Sequence, residues 1–76
     1  MRTYPHAGNR IRIEMVRCGY TLDSLSEKTE ISRQVLRGIL TGRSQTISTR
    51  TVCMLAATFG FSAADFVDLL SKEDLS

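Results

Sequence analysis

Apolar residues recur every three or four positions along most of this chain, and four local signals mark where helices begin. Each signal is a Ser or Thr that follows one apolar residue and precedes another by four positions, which is the pattern of a helix N-cap with a hydrophobic staple. The four signals are Tyr20-Thr21 with Leu25, Ile31-Ser32 with Leu36, Ile47-Ser48 with Val52, and Phe61-Ser62 with Phe66. They predict a helix that starts just after each hydroxyl residue.

A further helix is predicted before the first signal, because Ile11, Met15 and Cys18 have helical spacing and Gly19 follows as a stop. The predicted helices are residues 9–18, 22–29, 33–41, 49–59 and 63–71, with Gly42 and Gly60 ending the third and fourth. No strand pattern competes with them. The predicted fold class is therefore all-α, a compact bundle of five helices around a fourth helix that is apolar nearly all round.

The 76 residues are enough for one domain. Residues 1–8 contain the only Pro and show no sustained period, which predicts a flexible N-terminal arm before a domain over residues 9–71 and a short acidic tail over 72–76. No apolar run approaches the roughly 18 residues of a membrane span. Cys18 and Cys53 lack CxxC spacing, and the N-terminus lacks a secretory pattern, so we expect free thiols in the cytoplasm.

The charge is distributed unevenly along the chain. Residues 1–50 hold nine basic and four acidic side chains, a formal charge of +5, whereas residues 51–76 hold one basic and four acidic side chains, a formal charge of −3. A polyanion is therefore expected to bind the first fifty residues, with the acidic end facing away from it. A mixed solvated surface would have the same totals, so charge alone leaves both interpretations open.

The second and third predicted helices are separated only by residues 30–32, and a turn this short is typical of a helix-turn-helix. At about 100° per residue, the third helix has an apolar side with Val35, Leu36, Ile39 and Leu40, and a polar side with Arg33, Gln34, Arg37, Gly38 and Thr41. Arg can donate two hydrogen bonds to guanine, Gln can pair with adenine, and an apolar residue such as Val35 fits a thymine methyl group. The polar side therefore suits base edges in the major groove, with an ordinary solvated helix face as the alternative.

Residues 19–42, GYTLDSLSEKTEISRQVLRGILTG, resemble the Cro/C1-type, or XRE-like, helix-turn-helix family. The matching positions are Gly19, Thr21, Leu25, Ser26, Ile31, Ser32, Leu36, Ile39 and Gly42, and Ser48, Thr51, Gly60 and Ser62 extend the match over nearly all of residues 9–70. The resemblance implies a lambda-repressor-like DNA-binding domain that binds its operator as a dimer. It also implies that Ser32, Arg33, Gln34, Arg37 and Gly38 face the operator.

Four departures from the family pattern lead to further expectations. Leu22 replaces a Gln that usually contacts phosphate, so that contact is absent here. Glu30 replaces the usual turn Gly, and a left-handed backbone there costs about 1 to 2 kcal/mol. Gly38 inside the recognition helix either allows a closer approach to DNA or is a tolerated surface glycine. Met15 and Leu40 replace a buried Arg–Glu pair of many members, and we expect the two apolar side chains to touch.

Phosphate contacts position a protein on the duplex, while base contacts specify the sequence. The candidates for base contacts are Arg33, Gln34, Val35, Arg37 and Gly38. The candidates for phosphate contacts are Thr21 and Ser32 at two helix N-termini, Arg43 and Ser44 in the loop after the third helix, and Arg50 in the first turn of the fourth. No cofactor is implied, and Cys18, Cys53 and His6 do not have the ligand spacing of a zinc site.

These patterns and the resemblance together favour a sequence-specific regulator of transcription that binds double-stranded DNA, and the resemblance implies a repressor that recognises a palindromic operator as a homodimer. An enzyme is disfavoured, because His6, the only histidine, lies in the predicted arm and offers neither cysteine a base held by the fold. The alternative is a protein-interaction module of the same fold, antitoxin-like or antirepressor-like, that acts through a partner protein. The apolar fourth helix and residues 61–70 support this alternative, although a homodimer interface explains them equally well.

Overall fold

The computed structural model describes residues 2–71, which form five helices and one short two-stranded sheet. The helices are α1 (Ala7–Cys18), α2 (Leu22–Thr29), α3 (Arg33–Leu40), α4 (Thr49–Phe59) and α5 (Ala63–Ser71). The strands are β1 (Arg2–Thr3) and β2 (Thr46–Ile47). The predicted fold class is thus confirmed, and α2 to α5 begin at the predicted residues.

Local signals set most of the helix boundaries. The hydroxyl oxygens of four residues each accept a hydrogen bond of 3.1–3.2 Å from the backbone N–H three positions later, and these residues are the predicted N-caps Thr21, Ser32, Ser48 and Ser62. Gly19 and Gly60 adopt the left-handed conformation at the ends of α1 and α4, as predicted. α3 ends one residue earlier than predicted, with Thr41 as its C-cap and Gly42 one position later.

The core lies where all five helices meet. Each helix contributes at least one completely buried side chain, namely Ile11, Leu25, Leu36, Leu55, Phe66 and Leu70. The Phe66 ring packs between those of Phe59 and Phe61, with centroid distances of 5.9 and 5.7 Å. Met15 belongs to this core and Leu40 packs against it, whereas a direct contact between these two side chains stays a prediction.

The predicted flexible arm is wrong for residues 2–8, which are part of the fold. β1 and β2 pair antiparallel, with Arg2 opposite Ile47 and Thr3 opposite Thr46. Tyr4 is only 4% exposed, and Ala7, which is also buried, starts α1 two residues before the predicted Asn9. Strands of two residues are too short to show an alternating pattern, which is why the sequence did not indicate this sheet.

The start of α1 packs closely against the end of α3 at Gly8. A Cβ atom at this position would lie 2.6 Å from the carbonyl oxygen of Ile39 and 2.9 Å from that of Leu40, so the packing requires glycine. One turn further along α1, Nη2 of Arg12 donates a hydrogen bond of 3.2 Å to the Leu40 carbonyl. α1 therefore holds the C-terminal end of α3, the helix that bears the candidate base contacts.

The predicted acidic tail over residues 72–76 lies outside the described residues. Between residues 2 and 71, no single helix is long and apolar enough to cross a membrane. α4 and α5 reach the necessary length and hydropathy only when they are counted together, and they are bent by 103° where they meet. Val52, Leu55, Phe66 and Leu70 on their apolar sides are buried in the core.

Candidate nucleic-acid interface

The turn between α2 and α3 is fixed by side chains of α2. The buried Thr29 hydroxyl donates to the Leu25 carbonyl at 2.8 Å and accepts from the Ile31 amide at 3.3 Å. The Ser26 hydroxyl donates to the Ile31 carbonyl at 2.6 Å. Glu30 takes the left-handed conformation with φ of 59°, a conformation that costs a non-glycine residue about 1 to 2 kcal/mol. These hydrogen bonds hold the angle between the two helices despite the strained residue.

α3 divides into the two sides that the sequence predicted. Leu36 and Ile39 are buried in the core. Arg33, Gln34 and Arg37 are exposed on the opposite side. Between the two sides, Val35 is 49% exposed and Gly38 is half-buried. The helix thus presents polar side chains to the solvent from a backbone that its apolar side anchors.

An open groove runs along the polar side of α3. It is lined by Arg33, Gln34, Arg37, Gly38, Thr41 and Arg43. The structure therefore brings together four of the five candidates for base contacts and one candidate for phosphate contact. Three of the lining residues are arginines and none is acidic, so the groove attracts anions. Thr41, which was not among the candidates, caps the end of α3 through its hydroxyl, which donates to the Arg37 carbonyl at 2.9 Å.

The loop after α3 folds back over the last turn of this helix. The Ser44 amide donates to the Gly38 carbonyl at 3.0 Å, and this hydrogen bond keeps Arg43 beside the groove. A Cβ atom at Gly38 would lie 3.7 Å from the Cβ of Ser44, an ordinary van der Waals distance. The packing of the free protein therefore does not require a glycine in the middle of α3.

A second cleft lies between the turn and α4, and it brings together Ser32, Val35 and Arg50. Arg50 is exposed in the first turn of α4, a turn that contains no acidic residue. Glu30 lines the same cleft, but among residues 2–71 no carboxylate lies within ion-pair distance of Arg50, so its charge is available to an external anion. Thr21 lines neither the groove nor this cleft, and its hydroxyl is engaged in a capping box with Ser24.

Sequence reasoning missed the role of Asp23. Its Oδ1 accepts a hydrogen bond of 3.0 Å from Nη1 of Arg33, and the two side chains are 76% and 65% exposed. Such a pair, ten positions apart and across a turn, has no signal in the periodicity of either helix. Leu22, next to Asp23, is half-buried and packs against the core, so it has an apolar partner inside the protein.

Arg17, unlike the arginines that line the groove, forms contacts that stabilise the fold. A hydrogen bond to the carboxylate of Glu14 raises the pKa of the Arg17 guanidinium. Nη2 of the same residue donates to the Phe59 carbonyl at 3.0 Å, and its guanidinium lies 5.7 Å from the ring centroid of Phe61. These contacts tie α1 to the end of α4 and leave Arg17 outside the groove.

Comparisons with known proteins agree with this geometry. The sequence model of the Cro/C1-type HTH DNA-binding domain matches residues 10–72. The structure is similar to that of SinR in a SinR/SinI protein complex, with a TM-score of 0.75 and 24% identity over 82% of this chain. The matched region covers 60% of that SinR chain. No curated protein sequence matches the chain significantly.

Two more solved structures share the fold. One is SinR, described as the master regulator for biofilm formation, in complex with DNA, with a TM-score of 0.75 and 24% identity over 82% of this chain and 98% of that chain. The other is ClgR, the clp gene regulator from Corynebacterium glutamicum, with a TM-score of 0.76 and 24% identity over 90% of this chain and 71% of that chain. At this level of identity, the similarity establishes the five-helix fold.

Proposed function

The chain belongs to the Cro/C1-type helix-turn-helix DNA-binding domain family, and from this membership we propose that it is a transcriptional regulator that reads double-stranded DNA through the major groove. The observation that carries the proposal is the groove along α3, whose lining brings Arg33, Arg37 and Arg43 together with Gln34 and contains no acidic residue, although Asp23 outside the groove pairs with Arg33. Guanidinium groups fit guanine edges and phosphates, and the Gln amide fits adenine. α3 is therefore the recognition helix.

The candidate residues divide into two roles. Arg33, Gln34 and Arg37 contact base edges, Val35 contacts a thymine methyl group, and Gly38 lets the helix backbone approach the duplex. Thr21, Ser32, Arg43, Ser44 and Arg50 contact phosphates. The exposure of Arg33, Gln34 and Arg37 and the unpaired charge of Arg50 support this division. Base contacts then provide specificity, and phosphate contacts provide the position on the duplex.

The regulator binds a palindromic operator as a homodimer and represses transcription by occluding polymerase. The domain measures 30 × 24 × 23 Å, so two copies side by side can place their recognition helices about 34–36 Å apart, which is one turn of the duplex. An apolar groove between α4 and α5, lined by Val52, Cys53 and Val67, supports self-association. α5 packs on α1 and α4, whereas α3 packs on α1 and α2, so this groove and the recognition helix occupy different parts of the molecule.

The exposed thiols of Cys18 and Cys53 support a reducing, cytoplasmic location.

The alternative function is that of an interaction module that acts through a protein partner. Its specific support is an apolar patch on α1, where Ile13 and Val16 are 53% and 79% exposed. SinR, a protein with the same fold, is known in complex with SinI protein.

Selection from a random library of duplex DNA tests the proposal. We expect the wild-type chain to enrich one palindromic sequence and to sediment as a dimer on it. Arg37→Ala should lose this sequence preference, whereas Lys28→Ala, which removes one positive charge from an exposed position outside the groove, should keep it. Absence of any enriched sequence, together with capture of a protein partner through Ile13 and Val16, would favour the interaction module.

A further inference from the structure

We propose that Asp23 is a specificity-determining residue of the DNA interface. Its carboxylate positions the Arg33 guanidinium for a guanine and disfavours phosphate as an alternative target. This inference rests on the proposed function, because it assigns a role within the reading of base edges. Asp23 is an acidic residue beside a basic surface, a position where attraction of DNA phosphates alone would favour a neutral or basic side chain.

The geometry fixes one edge of the Arg33 guanidinium and leaves the other edge free. Asp23 lies in the first turn of α2 and Arg33 in the first turn of α3, so the hydrogen bond of 3.0 Å spans the two helices. It uses Nη1 of Arg33. Over residues 2–71, Nε and Nη2 of Arg33 donate to no other group. These two atoms are a parallel donor pair that matches O6 and N7 of guanine.

The ion pair between Asp23 and Arg33 is not needed for the stability of the fold. Both side chains are more than half exposed, and exposed ion pairs contribute little to the free energy of unfolding because water and salt screen them. The cleft that they line also contains Ser26 and Glu27. The pair restricts the rotamers of a long side chain at the point where a base contact has to be formed, which lowers the ordering cost of that contact.

The negative charge of Asp23 has a second consequence. An unpaired arginine at the edge of a recognition helix can bind any phosphate, and such contacts carry no sequence information. A carboxylate beside the guanidinium repels phosphates and tolerates the neutral edge of a base, so it weakens binding to the wrong target more than to the right one. Asp23 therefore raises the ratio of specific to non-specific affinity.

The test compares Asp23→Asn with Glu27→Gln. Both variants remove one negative charge from the same cleft, but only Asp23 bonds to Arg33 among the described residues. Fluorescence anisotropy measures their affinities for the sequence selected by the wild-type chain, for the same duplex with each guanine replaced in turn, and for random duplex. Thermal melting shows whether the variants fold.

Discrimination at one guanine should fall by about 1.4-fold to fivefold in Asp23→Asn, the range that corresponds to the coupling of exposed ion pairs, and affinity for random duplex should rise. Glu27→Gln should keep wild-type discrimination, Asp23→Glu should restore it, and Asp23→Asn should change nothing at that guanine in an Arg33→Ala background. Full discrimination by Asp23→Asn on a sequence that the wild type selects would overturn this inference alone. A wild-type chain that selects no sequence would overturn the proposed function and this inference with it.

Discussion

The helix-turn-helix region (residues 21–44) and the α4–α5 region (residues 48–71) begin their helices with the same signals but differ in how well residues suit their local conformations. In the α4–α5 region, the left-handed position after α4 is a glycine, Gly60. In the helix-turn-helix region, the left-handed position after α2 is Glu30, and a glycine, Gly38, lies inside α3. Both departures from local preference thus lie in the helix-turn-helix region, one in its turn and one inside α3. Such departures are expected where residues are selected for function rather than for folding.

The two regions also differ in what their side chains do. In the α4–α5 region, the rings of Phe59 and Phe61 both pack against that of Phe66 in and around the core. The polar side of α3 makes few contacts with the rest of the described protein, and the ion pair between Arg33 and Asp23 is exposed. We infer that stability depends mainly on the α4–α5 region and recognition mainly on the helix-turn-helix region, and four substitutions test this separation.

The largest effect on stability is expected from Phe66→Ala. Phe66 is completely buried between two other rings, and removal of a buried Phe side chain lowers the free energy of unfolding by about 3–5 kcal/mol. Urea denaturation measures the change. Arg37→Ala in the groove is the control and should leave the free energy of unfolding within about 0.5 kcal/mol of wild type. Comparable losses in both variants would contradict the separation.

Glu30→Gly should stabilise the protein. Relief of the left-handed strain is worth about 1 to 2 kcal/mol, and the greater freedom of glycine in the unfolded chain offsets about 0.4 to 1 kcal/mol of this. Gly60→Ala is the matched substitution in the α4–α5 region, where φ is 86°, and it should destabilise. Thermal unfolding of both variants would show opposite signs, and a destabilising Glu30→Gly would mean that Glu30 makes a stabilising contact that outweighs its strain.

Gly38→Ala should change the stability of the free protein and its affinity for DNA in opposite directions. Alanine has a higher helix propensity than glycine by about 0.8–1 kcal/mol, and the new methyl group would meet Ser44 at an ordinary contact distance. The free protein should therefore become more stable. We expect its affinity for DNA to fall, because the methyl group would stand between the helix backbone and the duplex. Unchanged affinity would identify Gly38 as a tolerated surface glycine.

Arg43→Ala should have the smallest effect on DNA binding, and this effect should be nearly the same for every DNA sequence. Arg43 lines the groove from the loop after α3, and we assign it to a phosphate. Loss of one phosphate contact reduces the slope of log affinity against log salt by about 0.9 and weakens binding to all sequences alike. Titrations against selected and random duplexes at several salt concentrations measure both quantities. A change of preferred sequence in this variant would move Arg43 to the base-contacting set.

Much of the fold could be predicted because its helix boundaries are local. Thr21, Ser32, Ser48 and Ser62 cap helices through groups only three residues away, so a short stretch of sequence contains the whole signal. The two sides of α3 could be predicted for the same reason, since helical periodicity within this short segment places Leu36 and Arg37 on different sides.

Three of the features that were missed depend on contacts between different elements of the fold. β1 exists because it pairs with β2 more than forty residues later. Gly8 is required by the carbonyl oxygens of α3, and Asp23 finds Arg33 only after the turn has set the angle between the helices. No periodic pattern within one element carries such information. The base preferred by each side chain of α3 is likewise a property of the complex with DNA.

The central claim, that the polar side of α3 binds DNA, is tested most directly by fluorescence anisotropy with random duplex DNA at two salt concentrations. The wild-type chain is compared with Arg33→Ala/Arg37→Ala and with Lys28→Glu, which lowers the net charge by the same amount at an exposed site outside the groove. We predict micromolar binding by the wild type that weakens steeply with salt, nearly complete loss in the double variant, and retained binding in Lys28→Glu. Absence of binding by the wild-type chain even at low salt would contradict the claim.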